Sequence, residues 1–154
     1  MTHDNQRVRA VLLAAHGQIL LLKRLRPGVP EPYWVTVGGG IEAGDESCEA
    51  ALHREVVEEI GGSIVILRRV LVLDEIIGGD AITQHYYLCR LLAYDFNQRS
   101  GPELSDPTRG AHILESYPLD RHVLAALNIK RPAFRTWLLA NLDMLRDEVA
   151  GFVP

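Results

Sequence analysis

The stretch from Gly40 to Gly61 constrains this chain more than any other. It reads Gly40-Ile-Glu-Ala-Gly-Asp-Glu46-Ser-Cys-Glu-Ala-Ala-Leu-His-Arg54-Glu55-Val-Val-Glu58-Glu59-Ile60-Gly61. A glycine-rich loop runs into a helix-forming segment. Ser47 or Asp45 can cap its start, and Gly61-Gly62 can end it. Successive helix residues advance by about 100°, so Glu55, Glu58 and Glu59 share an arc of roughly 100°. Glutamates at this spacing are neighbours on a helix and repel one another. A segment that needed only solubility would gain by alternating its charges. Clustered carboxylate oxygens are what a hard divalent cation such as Mg²⁺ requires. A solvated acidic face is the common alternative reading of such a segment.

The rest of the chain mixes strands and helices. Residues 8–15 and 18–24 are apolar runs separated by His16-Gly17, the pattern of a β-hairpin. Residues 26–32 hold three prolines and a glycine and form a loop. A short strand over 33–37 leads into the run Gly38-Gly39-Gly40. Strands are expected over 63–73 and 82–92, broken by Gly78-Gly79-Asp80, with a last one over 111–117. Residues 97–110 form a long loop, and loops of that length in compact domains usually carry function or lack order. Helices are expected over 119–127 and 132–149, the second with Trp137, Leu138, Leu142 and Leu145 as its apolar face. Strands and helices without regular βαβ alternation indicate an α+β fold with a mixed sheet. The length of 154 residues fits one domain over 1–154.

Composition narrows the function classes. The formal net charge of −4 argues against a nucleic-acid polymer as partner. It leaves a small phosphorylated substrate open, because a bound cation reverses the local potential. Cys48 and Cys89 have neither metal nor redox spacing. Cys48 reads as a small space-filling residue under the glycine loop. No apolar run approaches membrane-spanning length and no secretory h-region opens the chain, so a cytoplasmic protein with free thiols and no membrane partner is expected.

The Gly40–Gly61 stretch resembles the Nudix hydrolase signature: Gly, five residues, Glu, seven residues, Arg-Glu, an aliphatic, one residue, Glu-Glu, one residue, Gly, an aliphatic. Gly40, Glu46, Arg54, Glu55, Val56, Glu58, Glu59 and Gly61 match, and Gly62 stands where the family prefers an aliphatic side chain. The segment Gly39-Gly40-Ile41-Glu42-Ala43-Gly44-Asp45-Glu46 is also one residue longer before the glutamate than the family's frequent Gly-Gly-x-x-Glu-x-Gly-Glu. The resemblance implies a Nudix α/β/α sandwich and a Mg²⁺-dependent pyrophosphohydrolase acting on a nucleotide or nucleoside diphosphate derivative, with Mn²⁺ as a substitute ion. It implies Glu55, Glu58 and Glu59 as metal ligands and catalytic carboxylates, with a backbone carbonyl of Gly39 or Gly40. Arg54 and Glu46 are implied as structural, the arginine pairing with a box glutamate; Glu58, at i+4, is the other partner in reach. The resemblance leaves assembly open, a homodimer included.

Outside the box, roles are less determined. Arg24, at the end of the second strand, sits where many family members hold substrate phosphates, with an exposed edge arginine as the equal alternative. Tyr33 and Trp34 either stack on a base or pack, and packing is favoured. His85 and His112 look structural, Glu42 and Glu49 look like exposed charges, and Asp74-Glu75 end a strand without a partner pattern. Glu103 in the long loop is the first candidate for a general base and Glu115 the second. A non-catalytic ligand-binding module on the same fold would show a broken box, and here the helix triad is whole. An isomerase on the same fold would want a suitably placed cysteine.

Overall fold

A computed structural model describes residues 5–100 and 110–152. These group into two compact units. One comprises the described residues up to Val11 and those from Val37 to Ser100; the other comprises Leu12–Thr36 and the described residues from Gly110 onward.

The first unit begins with β1 (Gln6–Ala14), whose first part pairs antiparallel with β4 (Val37–Gly40), Val8 opposite Gly39 and Arg9 opposite Gly38. The glycine run is therefore strand rather than loop, which the sequence pattern did not show. Gly38 explains how: its φ is 152° and an added Cβ would lie 2.0 Å from the Val8 carbonyl oxygen. Only glycine permits that approach. The helix α1 (Cys48–Ile60) follows. Then come β5 (Gly62–Ile77) and β6 (Asp80–Tyr94), a long antiparallel hairpin turning at Gly78-Gly79. Both strands extend beyond the expected 63–73 and 82–92, and the turn lies where the sequence placed it. The Asn5 carbonyl accepts from the Thr83 N–H at 2.8 Å and Gln6 bonds His85. The numbers rise together, so β1 and β6 lie parallel and the sheet is mixed. A 3₁₀ turn (Phe96–Gln98) closes the unit.

In the second unit the end of β1 pairs with β2 (Gln18–Leu25), Leu12 opposite Leu20, around the expected His16-Gly17 turn. β2 also pairs antiparallel with β3 (Tyr33–Val35) and with β7 (Ala111–Pro118). Helices α2 (Arg121–Ala125), α3 (Pro132–Ala140) and α4 (Leu142–Ala150) complete it. The single helix expected over 132–149 is two helices. The Asn141 side chain donates to the Trp137 carbonyl at 2.8 Å, and its own φ is −117°. That side chain competes for the carbonyl that helix continuation would use. Phe134, Leu138, Leu142, Leu145 and Val149 are buried across the break; Trp137 is half-buried. Among the described residues no helix is long and apolar enough to cross a membrane.

Candidate active site

Helix α1 is built to be held at both ends. The Ser47 hydroxyl caps it by accepting from the Ala50 N–H at 3.0 Å. Gly61, left-handed at φ 60°, ends it. The Asp95 N–H donates to the Gly61 carbonyl at 3.0 Å and the Ser100 N–H to that of Glu58 at 3.0 Å. Ala51, Leu52, Val56 and Ile60 are buried along one side. Each large aliphatic contributes about 1.5–3 kcal/mol through burial.

Arg54 is the hub between helix and loop. Its Nε donates to Asp45 Oδ1 at 2.9 Å and one terminal nitrogen donates to Asp45 Oδ2 at 2.9 Å, a two-pronged pair. The same nitrogen reaches the Gly40 carbonyl at 2.9 Å. The other donates to Glu55 at 3.0 Å and to Glu58 at 3.2 Å, with Glu42 at 3.5 Å. The Glu42 N–H also donates to Asp45, at 2.7 Å. Arg54 thus pairs with the box glutamates Glu55 and Glu58, and makes its two-pronged contact with Asp45. Glu46 is exposed. The Glu58 pairing expected at i+4 is present. Hydrogen bonding to Asp45 holds the Arg54 guanidinium firmly protonated, against the opposing effect of burial.

Two of the three helix carboxylates come together. Glu55 is buried, and its carboxyl hydrogen-bonds that of Glu59. Burial pushes Glu55 above the usual carboxylate range, against the pull of Arg54. Burial pushes Glu59 up further, against the attraction of Arg9. A carboxyl pair raised in this way takes up a proton more readily than isolated carboxylates do. Glu59 also accepts from the Gly38 N–H at 3.1 Å. Glu58 is turned to Arg54 instead.

The donor chemistry fits a hard cation. A Cβ added at Gly39 would lie 2.6 Å from Glu55 Oε1, so the β4 backbone passes directly over the carboxyl and glycine alone leaves room. Paired carboxyl oxygens beside a strand backbone are the oxygen-only surroundings that Mg²⁺ accepts. Of the two carbonyls expected as ligands, that of Gly40 carries the Arg54 bond, and Gly39 stands nearer Glu55. Among the described residues no three acidic, His or Cys side chains are already converged as a cation cage. Arg54 compensates Asp45, Glu55 and Glu58 in this arrangement.

Sequence reasoning missed Arg9, Gln84 and Asp45. Arg9 on β1 donates through Nε to Gln84 at 3.0 Å, and a terminal nitrogen lies 3.4 Å from the Gly38 carbonyl. Gln84 is fully buried. The alternation Arg7-Val8-Arg9-Ala10 was the available signal, since it puts both arginines on one face of a strand.

The other candidates fall elsewhere. Arg24, Tyr33, Trp34 and Glu115 belong to the second unit. The Arg24 guanidinium sits 6.0 Å from the Tyr33 ring centre, and the Lys130 ammonium 5.8 Å. Trp34 is half-buried, donates to Glu115 at 3.0 Å and to Tyr117 at 2.9 Å, and meets the Tyr117 ring edge-on. The Tyr117 hydroxyl and Trp34 together hold Glu115 below the usual carboxylate range. His85 bonds Gln6 at 2.7 Å, and burial lowers its pKa. His112 lies opposite Arg24 on β7. Cys48 is half-buried against the Tyr87 hydroxyl, and burial raises the Cys89 thiol to about 12. Glu103 lies outside the described residues. A concavity of about 750 Å³ between Glu49, His53, Tyr87 and residues 64–69 includes none of the helix triad.

Comparison with known proteins agrees with this geometry. A family model described as the NUDIX domain matches residues 4–137. No curated protein sequence matches significantly. Among solved structures, a NUDIX hydrolase from Nitrosomonas europaea superposes with TM-score 0.70 at 17% identity, over 92% of this chain and 89% of that one. A UDP-X diphosphatase gives TM-score 0.65 at 20% identity, over 94% of this chain and 64% of that one. An ADP-ribose pyrophosphatase from Streptococcus suis gives TM-score 0.60 at 23% identity, over 90% of each chain.

Proposed function

The chain belongs to the Nudix family and is a Nudix hydrolase, and we propose that it is a Mg²⁺-dependent pyrophosphohydrolase cleaving a phosphoanhydride in a nucleotide or nucleoside diphosphate derivative. The observation that carries the reading is the buried Glu55–Glu59 pair under Gly39, clamped from the side by Arg54. Glu55, Glu58 and Glu59 would hold the cation, with the Gly39 or Gly40 carbonyl beside them. When bound, it would neutralise phosphate oxygens and activate the attacking water.

The protein's own groups do the rest. Arg54 and Asp45 fix the loop on the helix, so the carboxyls keep their spacing when charge changes. Arg9 balances Glu59 from β1. Arg24 is the proposed contact for substrate phosphates, supported by a second cation, Lys130, near the same Tyr33 ring. Glu103 is the proposed base. Glu115 is the weaker candidate, because a carboxyl held down by Tyr117 and Trp34 takes a proton less readily. The ADP-ribose and UDP-X specificities of two similar structures support a nucleoside diphosphate substrate. We take residues 1–154 as one Nudix domain working in the cytoplasm, the first supported by the match over 4–137.

A turnover screen tests this reading. Nucleoside triphosphates, dinucleoside polyphosphates, ADP-ribose and sugar nucleotides are offered with Mg²⁺ or Mn²⁺, and products are separated by ion-exchange chromatography. Nucleotide release dependent on metal and on Glu59 is expected. No turnover of any member would refute the substrate class.

A further inference from the structure

We propose that the β5 edge is a self-association surface, where a second copy of this chain adds its own β5 antiparallel about a two-fold axis at Val72. Strand β5 is an edge of its sheet, and among the described residues it pairs with β6 alone. Such an edge presents a row of backbone donors and acceptors to any partner strand. Val65, Val72 and Ile76 on it are 42%, 45% and 68% exposed. The question is whether its side chains accept or repel a second copy.

The register of β5 on β6 answers it. Irregularities fall between Ile66 and Arg68 and between Arg69 and Leu71, leaving Leu67 and Val70 without partners in β6. Each bulge shifts the alternation by one residue. Arg69, Val72, Asp74 and Ile76 thereby share one face, opposite Tyr87, His85, Thr83 and Ala81. Arg68, Leu71, Leu73 and Glu75 share the other, opposite Leu88, Tyr86, Gln84 and Ile82. Asp74 is fixed on its face by the Thr83 hydroxyl at 2.8 Å, and Arg69 lies 3.5 Å from His85 on the same face.

Two antiparallel strands about a two-fold axis oppose residues on the same face, at equal steps from the axis. With the axis at Val72, Leu71 meets Leu73, Arg69 meets Asp74, Arg68 meets Glu75 and Ile66 meets Ile76 of the second copy. Each pair occurs twice. Every apolar residue meets an apolar one and every charge meets its opposite. Shifting the axis to Leu73 sets Val72 against Asp74, Leu71 against Glu75 and Arg69 against Ile76. Shifting it to Leu71 sets Ile66 against Asp74. Opposite-charge and apolar cross-strand pairs stabilise a ladder, and mismatches penalise it. Charges on an edge strand normally keep copies apart. Here the bulges bring them into a self-complementary order.

The test is the oligomeric state by sedimentation velocity over a concentration series. A dimer is expected for the unaltered chain. The variants R68E/R69E and D74R/E75R each set like charges opposite one another. Since like-charge juxtaposition costs several kcal/mol, each should weaken the dimer by at least about 100-fold. An equimolar mixture of the two should restore a one-to-one heterodimer. Val72→Cys should cross-link to itself under mild oxidation on a non-reducing gel, and Ile76→Cys should not. A chain monomeric up to about 100 µM, the range of weak but specific association, would overturn the proposal. So would a dimer that survives both charge reversals, or a mixture that fails to pair. Circular dichroism checks folding, and if a charge variant unfolds, the Val72→Cys cross-link decides.

Discussion

Asp45, rather than Glu46, should hold Arg54, and the two carboxylates are one residue apart, so the contrast is sharp. The Arg54–Asp45 pair has two bonds of 2.9 Å, and the Asp45 side chain is only 8% exposed. Charge-assisted hydrogen bonds contribute about 1.5–3 kcal/mol each, and leaving one partner of a buried pair alone costs about 3–5 kcal/mol. Arg54 is about a fifth exposed and retains Glu55 and Glu58 as partners, which discounts the larger figure. Asp45→Asn is therefore expected to cost about 2 kcal/mol, or about 4–8 °C in Tm for a domain of this size. Glu46→Gln is expected to stay within about 0.5 kcal/mol, as exposed substitutions do. Arg54→Ala should lower stability and activity together, and Arg54→Lys should recover only part, because lysine cannot form the planar pair. Urea denaturation of the four variants measures this, with an Asp45–Arg54 double-mutant cycle isolating the pair. Equal losses for Asp45→Asn and Glu46→Gln, or no coupling in the cycle, would refute the assignment.

Glu58→Gln and Glu59→Gln should each lower kcat by at least about 10²-fold, the scale of losing an electrostatic stabiliser, without loss of metal-free stability; near-normal turnover in both would sink the metal-site reading. Comparing Glu103→Gln with Glu115→Gln across pH should show a drop of about 10²–10⁴-fold and loss of the acidic limb in the Glu103 variant alone. If both stay fully active, a box glutamate does that work. The raised Glu55 and Glu59 also predict a pH effect: above the ordinary value of 4.5 the unfolded carboxyls have lost protons that the folded pair still holds. Metal-free stability should thus fall as pH rises from there through the folded pKa values, and Glu59→Gln should flatten the slope. Thermal melts over a pH series upward from about pH 5 check it, and a rising slope would contradict it.

The helix and its carboxylates were legible because a helix's period and caps are local. Ser47, Gly61 and the spacing of Glu55, Glu58 and Glu59 need only their neighbours. The β-hairpins were legible for the same reason. What failed to show depended on distant backbone. The glycine run became strand because Val8 and Arg9 lie against it, which no local propensity records. The break at Asn141 turned on one amide choosing the Trp137 carbonyl. Gly62 departs from the family's aliphatic preference where a Cβ would come within 3.0 Å of Ile60 and 3.1 Å of Val56, so neighbouring side chains already fill that space. The Asp45–Arg54 contact was equally illegible, because the motif counts residues and does not record which carboxylate reaches the guanidinium.

The charge balance of the site then follows from the contacts rather than the motif. Glu42, Asp45, Glu55 and Glu58 surround Arg54, and Glu59 lies against Glu55 with Arg9 on its other side. Five carboxyl groups thus stand with two guanidiniums, and a proton taken up by the raised Glu55–Glu59 pair would relieve part of the excess. Neither arginine can give up its proton, so the carboxyl pair is where the balance adjusts. A divalent cation would supply what that proton supplies, with one more positive charge, and the two would compete. Because Asp45 and the Gly40 carbonyl fix Arg54 from the loop side, that exchange can occur without moving the helix. The bidentate arginine clamp is therefore what lets three repelling glutamates sit on one helix face before any cation arrives. Its loss should expose their repulsion directly, as a variant of Arg54 that regains stability when Glu58 is also neutralised.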